Sequence, residues 1–147
     1  MKSKEIVIIE PGTKAEFEKY YNLRWRILRQ PWNQPRGSEK DNKEDESIHI
    51  MVVHNDQVIG CGRGHFNSPI EAQIRYMAVE KSCQGKGVGT KILKSLERKL
   101  IEKGVRTIIL NARENAVKFY KKHNYKMIGE GHTLFGVIKH FKMRKEI

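Results

Sequence analysis

Residues 84–90 read Gln84-Gly85-Lys86-Gly87-Val88-Gly89-Thr90, three glycines at every second position with Lys86 among them and Lys91 just beyond. Glycine lets main chain come close to a ligand. A helix that opens at such a run aims the free N–H groups of its first turn, and the positive end of its dipole, at whatever sits there. The chemistry is that of a cradle for a phosphorylated group, with Lys86 and Lys91 adding charge at its rim. Two other phosphate loops are excluded by spacing: G-x-x-x-x-G-K-S/T is absent, and G-x-G-x-x-G does not fit Gly85, Gly87 and Gly89.

What the segment does match is Q/R-x-x-G-x-G/A, and in this it resembles the CoA-pyrophosphate motif of the GNAT superfamily of N-acetyltransferases. Arg75–Val79 is similar to that family's central strand. Asn111-Ala112-Arg113-Glu114-Asn115-Ala116-Val117-Lys118-Phe119-Tyr120 is similar to its second signature. The resemblance implies an α/β fold with a central mixed sheet, antiparallel N-terminal strands, a parallel β-α-β step at the acyl-CoA site and helices on both faces, in one domain over 1–147. It implies acetyl-CoA as cosubstrate, no metal, and acetyl transfer to a primary amine by direct attack in a ternary complex. Residue by residue, it implies that Met77, Ala78 and Val79 offer backbone groups to the pantetheine arm, with the Val79 N–H polarising the thioester carbonyl. Gln84, Gly85, Lys86, Gly87, Val88, Gly89 and Thr90 would hold the pyrophosphate. Asn111 and Asn115 would contact the pantetheine arm, and Tyr120 would protonate the departing thiolate. Tyr120 also falls on an apolar helix face, so a purely structural ring is the competing reading.

Two positions depart from the family pattern. Asn124 stands where glycine is common, although asparagine also tolerates a left-handed helix terminus. The central strand carries Arg75 and Tyr76 where several members place a glutamate base. An alkyl ammonium with a pKa near 10.4 must lose a proton before it can attack. Glu46, His49, His65, His132 and His140 are the candidate bases, alongside a chain of water.

These residues need elements to position them. Ile6–Ile9 reads as a strand, and Thr13-Lys14-Ala15-Glu16 has the form of a capping box. Phe17, Tyr20, Arg24 and Ile27 share a face of the helix that follows; Arg24 must be paired, serve a ligand or snorkel from the stripe's edge. Residues 36–46 read as a loop or a short second helix. From Ser47 the period is two, with turns at Asn55-Asp56 and Asn67-Ser68-Pro69 giving strands near 48–52, 57–66 and 74–79. Gly60, Gly62 and Gly64 weaken the middle one and suit a close approach of other chain. Val88, Ile92, Leu93, Leu96, Leu100 and Ile101 mark an amphipathic helix ended by Gly104. Strands at Val105–Leu110, Tyr125–Ile128 and Val137–Met143 complete the set, with Ala116, Phe119, Tyr120 and His123 on one face of a helix between the first two. Short turns demand antiparallel pairs and the strand–helix–strand step a parallel one, so the sheet is mixed.

The composition of the 147 residues suits a globular protein, with 38% apolar and 31% charged residues. No stretch approaches a membrane span. Met1-Lys2-Ser3-Lys4 and the brief run after it do not make a signal peptide, so the expected location is cytoplasmic. Cys61 and Cys83 have no metal or redox spacing, and the six histidines show no paired ligand spacing. The net charge is +12, and residues 39–46 carry −3, which leaves +15 elsewhere. Such a field attracts polyanions, so a basic nucleic-acid-binding module or a catalytically silent CoA-binding regulator is the alternative. Basic residues are spread along the chain instead of forming one stripe, which disfavours nucleic acid. The expected partner is a small-molecule or protein amine, with a homodimer left open. Glu39, Asp41, Glu44, Asp45 and Glu46 form an acidic segment that reads either as a recruiter of cationic amines or as a solvated loop. Arg24 offers the opposite preference, for a carboxylate.

Overall fold

The computed structural model describes residues 5–147; Met1–Lys4 of the N-terminal reading lie outside the described residues. The chain forms β1 (Val7–Ile9), α1 (Lys14–Leu28), β2 (Ile48–His54), β3 (Gln57–Phe66), β4 (Glu71–Val79), α2 (Val88–Glu102), β5 (Thr107–Arg113), α3 (Val117–Lys122), β6 (Lys126–Leu134) and β7 (Ile138–Glu146). One seven-stranded sheet runs β1-β2-β3-β4-β5-β7-β6. Among the described residues only β4 and β5 pair in parallel. This is the mixed α/β sheet that the turn lengths require.

Local signals set the boundaries. Thr13 Oγ1 accepts from the Glu16 N–H at 3.1 Å, and the Glu16 carboxylate accepts from the Thr13 N–H at 3.0 Å, completing the capping box. Asn55 and Asp56 both take positive φ, 52° and 63°, as a two-residue hairpin of right-handed twist demands. Gly104 (φ 92°) and Asn124 (φ 71°) each supply the left-handed residue that follows a helix. The 36–46 segment is loop, with a single 3₁₀ turn at Glu44–Glu46 in place of a second helix.

The sheet separates two apolar layers. On one face Ile50, Val52, Ile74, Ile108 and Leu110 pack with Ile92, Leu93, Leu96 and Leu100 of α2. On the other, Met51, Cys61, Tyr76 and Ala78 pack against Tyr20, Leu23 and Leu28 of α1. Alternation along β2 sends Met51 to α1 and its neighbours to α2. The β3 glycines let α2 press onto the sheet: a Cβ at Gly62 would lie 2.6 Å from Ile92 Cγ2, and one at Gly60 2.8 Å from Ile92 Cδ1. Strand β6 runs six residues beyond the expected Ile128. It is an edge strand exposed on most positions and broken twice in register, so it carries no period-two apolar signal.

Candidate functional site

Parallel pairing of β4 with β5 covers only Glu71–Ile74 against Thr107–Leu110, although β4 continues to Val79 and β5 to Arg113. The strands part at a bulge. Tyr76 has φ 58°, and the β3 register shifts so that Tyr76 and Met77 together oppose Gly62. Beyond it the Glu80 N–H donates to the Ile59 carbonyl at 2.8 Å. Antiparallel alternation then turns the backbone groups of Ala78 toward β3, and those of Met77 and Val79 into the gap beside β5. The Val79 carbonyl accepts from Gln84 Nε2 at 3.1 Å, which ties the following loop to the strand.

That loop opens α2. Gly85 and Gly87 take φ of 77° and 84°, and each has open space where a side chain would stand. Gly87 caps α2 without a side-chain hydrogen bond, and the first turn holds no acid. The N–H groups of Val88, Gly89 and Thr90 therefore face outward with the helix's positive end. Gly89 serves packing, since its Cβ would lie 3.3 Å from Phe119 Cζ. The Thr90 hydroxyl is hydrogen-bonded to His123 Nε2 at 3.1 Å. Lys86 and Lys91 are exposed at the rim.

Asn111 lies on β5 past the point of divergence, and its Oδ1 is buried with no hydrogen-bond partner. Asn115 is exposed in the turn before α3. Tyr120 is 7% exposed and shares a core with Val88, Val117 and the partly buried Val79. Its ring meets Phe119 and Tyr125 edge-on at 5.0 and 5.8 Å. Burial pushes its phenol well above the usual 10. The structure thus groups Met77, Val79 and the 84–90 turn around one gap, with Tyr120 in the layer beneath; Asn111 follows on β5 with its Oδ1 beside Gly131 of β6, where a Cβ would lie 3.3 Å from it.

The α1 side of the gap is lined with arginines around the Tyr76 ring. Arg24, Arg63 and Arg75 lie 4.3, 5.0 and 4.5 Å from its centroid. Arg24 is fully buried and donates to Glu44 Oε1 at 2.9 Å, the Tyr20 hydroxyl at 2.7 Å and the Glu39 carbonyl at 3.0 Å. Arg63, also fully buried, reaches Glu44 Oε2 at 2.6 Å and Asp41 Oδ2 at 3.0 Å; Arg75 meets Asp41 at 2.8 Å. Arg24 is therefore a paired arginine. The acidic segment is neither a free recruiter nor a solvated loop, because Asp41 and Glu44 are counter-ions to three guanidiniums. Burial opposes ionisation of Asp41, but hydrogen bonds from Arg63 and the Lys43 N–H, with the Arg63 and Arg75 charges, hold its carboxyl well below the usual range.

The candidate bases divide clearly. Glu46 is exposed and pairs with Lys43 at 3.1 Å. Both ring nitrogens of His49 are engaged, by the Tyr20 hydroxyl and the Glu44 carbonyl at 2.7 Å each. His65 Nδ1 accepts from Arg63 at 3.0 Å. His140 pairs in register with Arg113 at the end of β5, beside the gap, and stacks on His132 at 4.4 Å. Its Nδ1 faces the Ile138 carbonyl at 3.0 Å, which fixes the proton there and leaves Nε2 as a lone pair. Burial, with the His132 and Arg113 charges, lowers its pKa. The bulge and buried Arg63 have no local sequence signature, whereas buried Arg24 had one in its place on the apolar face of α1. Arg113 had one: it stands two residues after Asn111, and so on the same strand face.

Both cysteines are free. Among the described residues there is no group of three or more metal-ligating side chains, and no helix is long and apolar enough to cross a membrane.

Residues 17–125 match the Acetyltransferase (GNAT) family. The chain is 34% identical over 126 residues to the uncharacterized N-acetyltransferase YjcF of Bacillus subtilis (strain 168), spanning 86% of this chain and 89% of that protein. It is 31% identical over 117 residues to the ribosomal protein bS18-alanine N-acetyltransferase of Haemophilus influenzae, spanning 78% of each. Among solved structures, an aminoglycoside 6'-N-acetyltransferase complexed with coenzyme A superimposes with a TM-score of 0.80 at 18% identity, over 95% of this chain and 96% of that one. Escherichia coli ElaA does so with a TM-score of 0.82 at 18% identity, over 98% and 100%. These two carry the fold alone; the family match carries the activity. The chain belongs to the GNAT acetyltransferase family and is an N-acetyltransferase that uses acetyl-CoA as its cosubstrate.

Proposed function

We propose that this protein, acting as one domain, transfers the acetyl group to a primary amine by direct attack in a ternary complex assembled in the gap between β4 and β5. The observation that carries this reading is the divergence of the two strands after Ile74 and Leu110, which leaves the backbone groups of Met77 and the Val79 N–H facing away from β3 without a β5 strand paired to them. Two further features fit the cosubstrate. The open cradle at Gly85 and Gly87 suits a pyrophosphate, and Asn111, whose Oδ1 is buried without a partner beside Gly131, would reach a pantetheine N–H after a change of rotamer. Asn115 stands near enough in sequence to join Asn111.

Bound acetyl-CoA supplies the thioester. The Val79 N–H would polarise its carbonyl. His140 Nε2 would take the ammonium proton, directly or through water. The Tyr120 hydroxyl, kept protonated by burial, would donate to the departing sulfur. A covalent enzyme intermediate gains no support from Cys61, whose buried thiol is pushed up to about 11.

Thiol release from acetyl-CoA is to be measured across a panel of amines. Turnover with at least one amine supports acetyl transfer, and none overturns it. Gly87→Glu puts a carboxylate and a strained backbone into the cradle, so calorimetry should show coenzyme A binding lost while the fold persists. Unchanged affinity in that variant would place the cofactor elsewhere.

A further inference from the structure

The arginines on the α1 side fall into two groups. Arg24, Arg26, Arg63 and Arg75 each meet a carboxylate within ion-pair distance. Arg29 and Arg113 meet none among the described residues, and neither does Arg36, which is exposed and donates to Asn22 Oδ1 at 2.9 Å. Arg29 is only 6% exposed and meets no carboxylate: Nε donates to the Ser38 carbonyl at 3.0 Å and Nη1 to the Leu28 carbonyl at 3.2 Å, and the Tyr76 side chain is its further hydrogen-bonding neighbour. Half-buried Arg113 sends Nη2 to that same Leu28 carbonyl at 3.3 Å. Two cations thus converge on one peptide oxygen at the C-terminal end of α1, which offers only a fraction of a charge. Their proximity is unfavourable in itself: burial, then like charge, lowers the pKa of Arg113, and burial with neighbouring Arg75 and Arg24 lowers that of Arg29. Asp41 and Glu44 are already committed to Arg24, Arg63 and Arg75. Buried charge is retained at such a cost where something neutralises it, and here the described residues supply no anion.

The position of the pair says what the anion is. Arg113 closes β5 at the rim of the β4–β5 gap, on the face of Asn111 and His140. The Arg29 guanidinium lies 5.6 Å from the Tyr76 ring and 5.6 Å from the Phe135 ring, so it is walled by the β4 bulge and the β6–β7 turn. This is the α1 side of the sheet, whereas α2 packs on the opposite face and carries the phosphate cradle at its start. The arginines are therefore placed for the acceptor and not for the pyrophosphate. Directly opposed residues of antiparallel strands hold their Cβ atoms about 5 Å apart. An anion at Arg113 and an amine at His140 would accordingly be joined by a short span. Two guanidinium forks suit a planar carboxylate.

We propose that Arg29 and Arg113 form the acceptor's anion pocket and that the acetylated amine carries a carboxylate beside its amino group, as in an α-amino acid. This rests on the acetyl-transfer reading above. Thiol release is compared for α-amino acids, their amides and a polyamine, with the wild type, Arg113→Gln and Arg29→Gln. Binding of the same compounds is followed separately by thermal shift without acetyl-CoA. The wild type should prefer acids over their amides. Arg113→Gln should shrink that preference roughly 10- to 100-fold, the range of a charge-assisted hydrogen bond, chiefly through the acceptor KM. Its acetyl-CoA affinity by calorimetry should persist, which separates pocket loss from misfolding, and half-buried Arg113 keeps the test open should Arg29→Gln fail to fold. Equal use of amides or a polyamine by the wild type overturns the pocket. So does an Arg113→Gln effect of the same size on acids and amides. Failure of every amine to release thiol sinks acetyl transfer itself; the pocket then stands or falls on whether carboxylate-bearing amines raise the wild-type Tm and lose that effect in Arg113→Gln.

Discussion

Tyr120 and His140 carry opposite proton demands, and their surroundings separate them. The Tyr120 hydroxyl makes no hydrogen bond to any described residue and its ionisation is pushed far upward by burial, so it remains a proton donor at every pH the enzyme meets. A CoA thiol resembles cysteine, with a pKa near 8.5, and is already a fair leaving group. Tyr120→Phe keeps the ring in its core and removes only the hydroxyl; kcat should fall about 10²-fold with Tm and acetyl-CoA affinity little changed. A near wild-type rate would leave Tyr120 a packing residue. His140 works from the other side. Its lowered pKa means that the neutral, basic form predominates at pH 7, and protonation sets in only below about 6.5. The rate should therefore fall on an acidic limb lying below that value. His140→Gln should lower kcat roughly 10²-fold and abolish the limb; survival of the limb in that variant would assign it to another group.

Among the elements, the 39–46 loop has the most unexpected role. It binds α1 to β3 and β4 through two carboxylates: Glu44 receives Arg24, Arg63 and the Tyr21 hydroxyl, and Asp41 receives Arg63 and Arg75. Removing one partner of a buried ion pair strands a charge and costs about 3–5 kcal/mol. Glu44→Gln should thus destabilise by about 3 kcal/mol in denaturant titration, and Glu46→Gln, at an exposed pair, by no more than about 0.5 kcal/mol. Equal effects would show that the loop is held by its backbone instead. The sheet itself is splayed by an element-scale device, the β4 bulge, which needs a tyrosine at φ 58°. That conformation is strained for a bulky side chain, and aromatic packing against Arg24 and Arg75 on the Tyr76 ring offsets it.

For the whole molecule, acid is the expected weakness. His49, His65 and His140 are buried, and each has its pKa lowered, so the folded state binds fewer protons than the unfolded chain as pH falls through about 6.5. Asp41 has its pKa lowered too; its contribution is complete above the unfolded carboxylate value near 3.9 and is lost as pH drops toward its folded value. Tm should decline first between about pH 6.5 and 5, from the histidines, and again below about pH 4, from Asp41. A Tm that stays flat to pH 4.5 would mean that the histidine rings are solvated. The same long-range pairing explains what could be read from sequence. The α2 stripe, the capping box, the hairpin asparagine and the 84–90 turn are local signals, and each holds in the structure except at the end of the stripe, where Ile101 is exposed. The bonds of Arg24 to Glu39 and Glu44 span 15 and 20 residues, and those of Arg63 to Glu44 and Asp41 span 19 and 22, so no local period reveals them; only Tyr20, four residues before Arg24, and His65, two after Arg63, are local partners. Strand β6 was hidden for another reason, since neither of its faces is buried enough to leave an apolar alternation.

The sheet ends on β1, three residues long, and on β6, whose register breaks twice. Unpaired strand edges are templates on which other chains can dock, and short or bulged edges spoil that template. Continuation of one sheet into another through β6 is thereby disfavoured, and so is runaway fibre-like growth in a crowded cell. Side-chain surfaces such as helix faces are then the better ground for self-association, and they close after two copies where one patch meets itself about a two-fold axis.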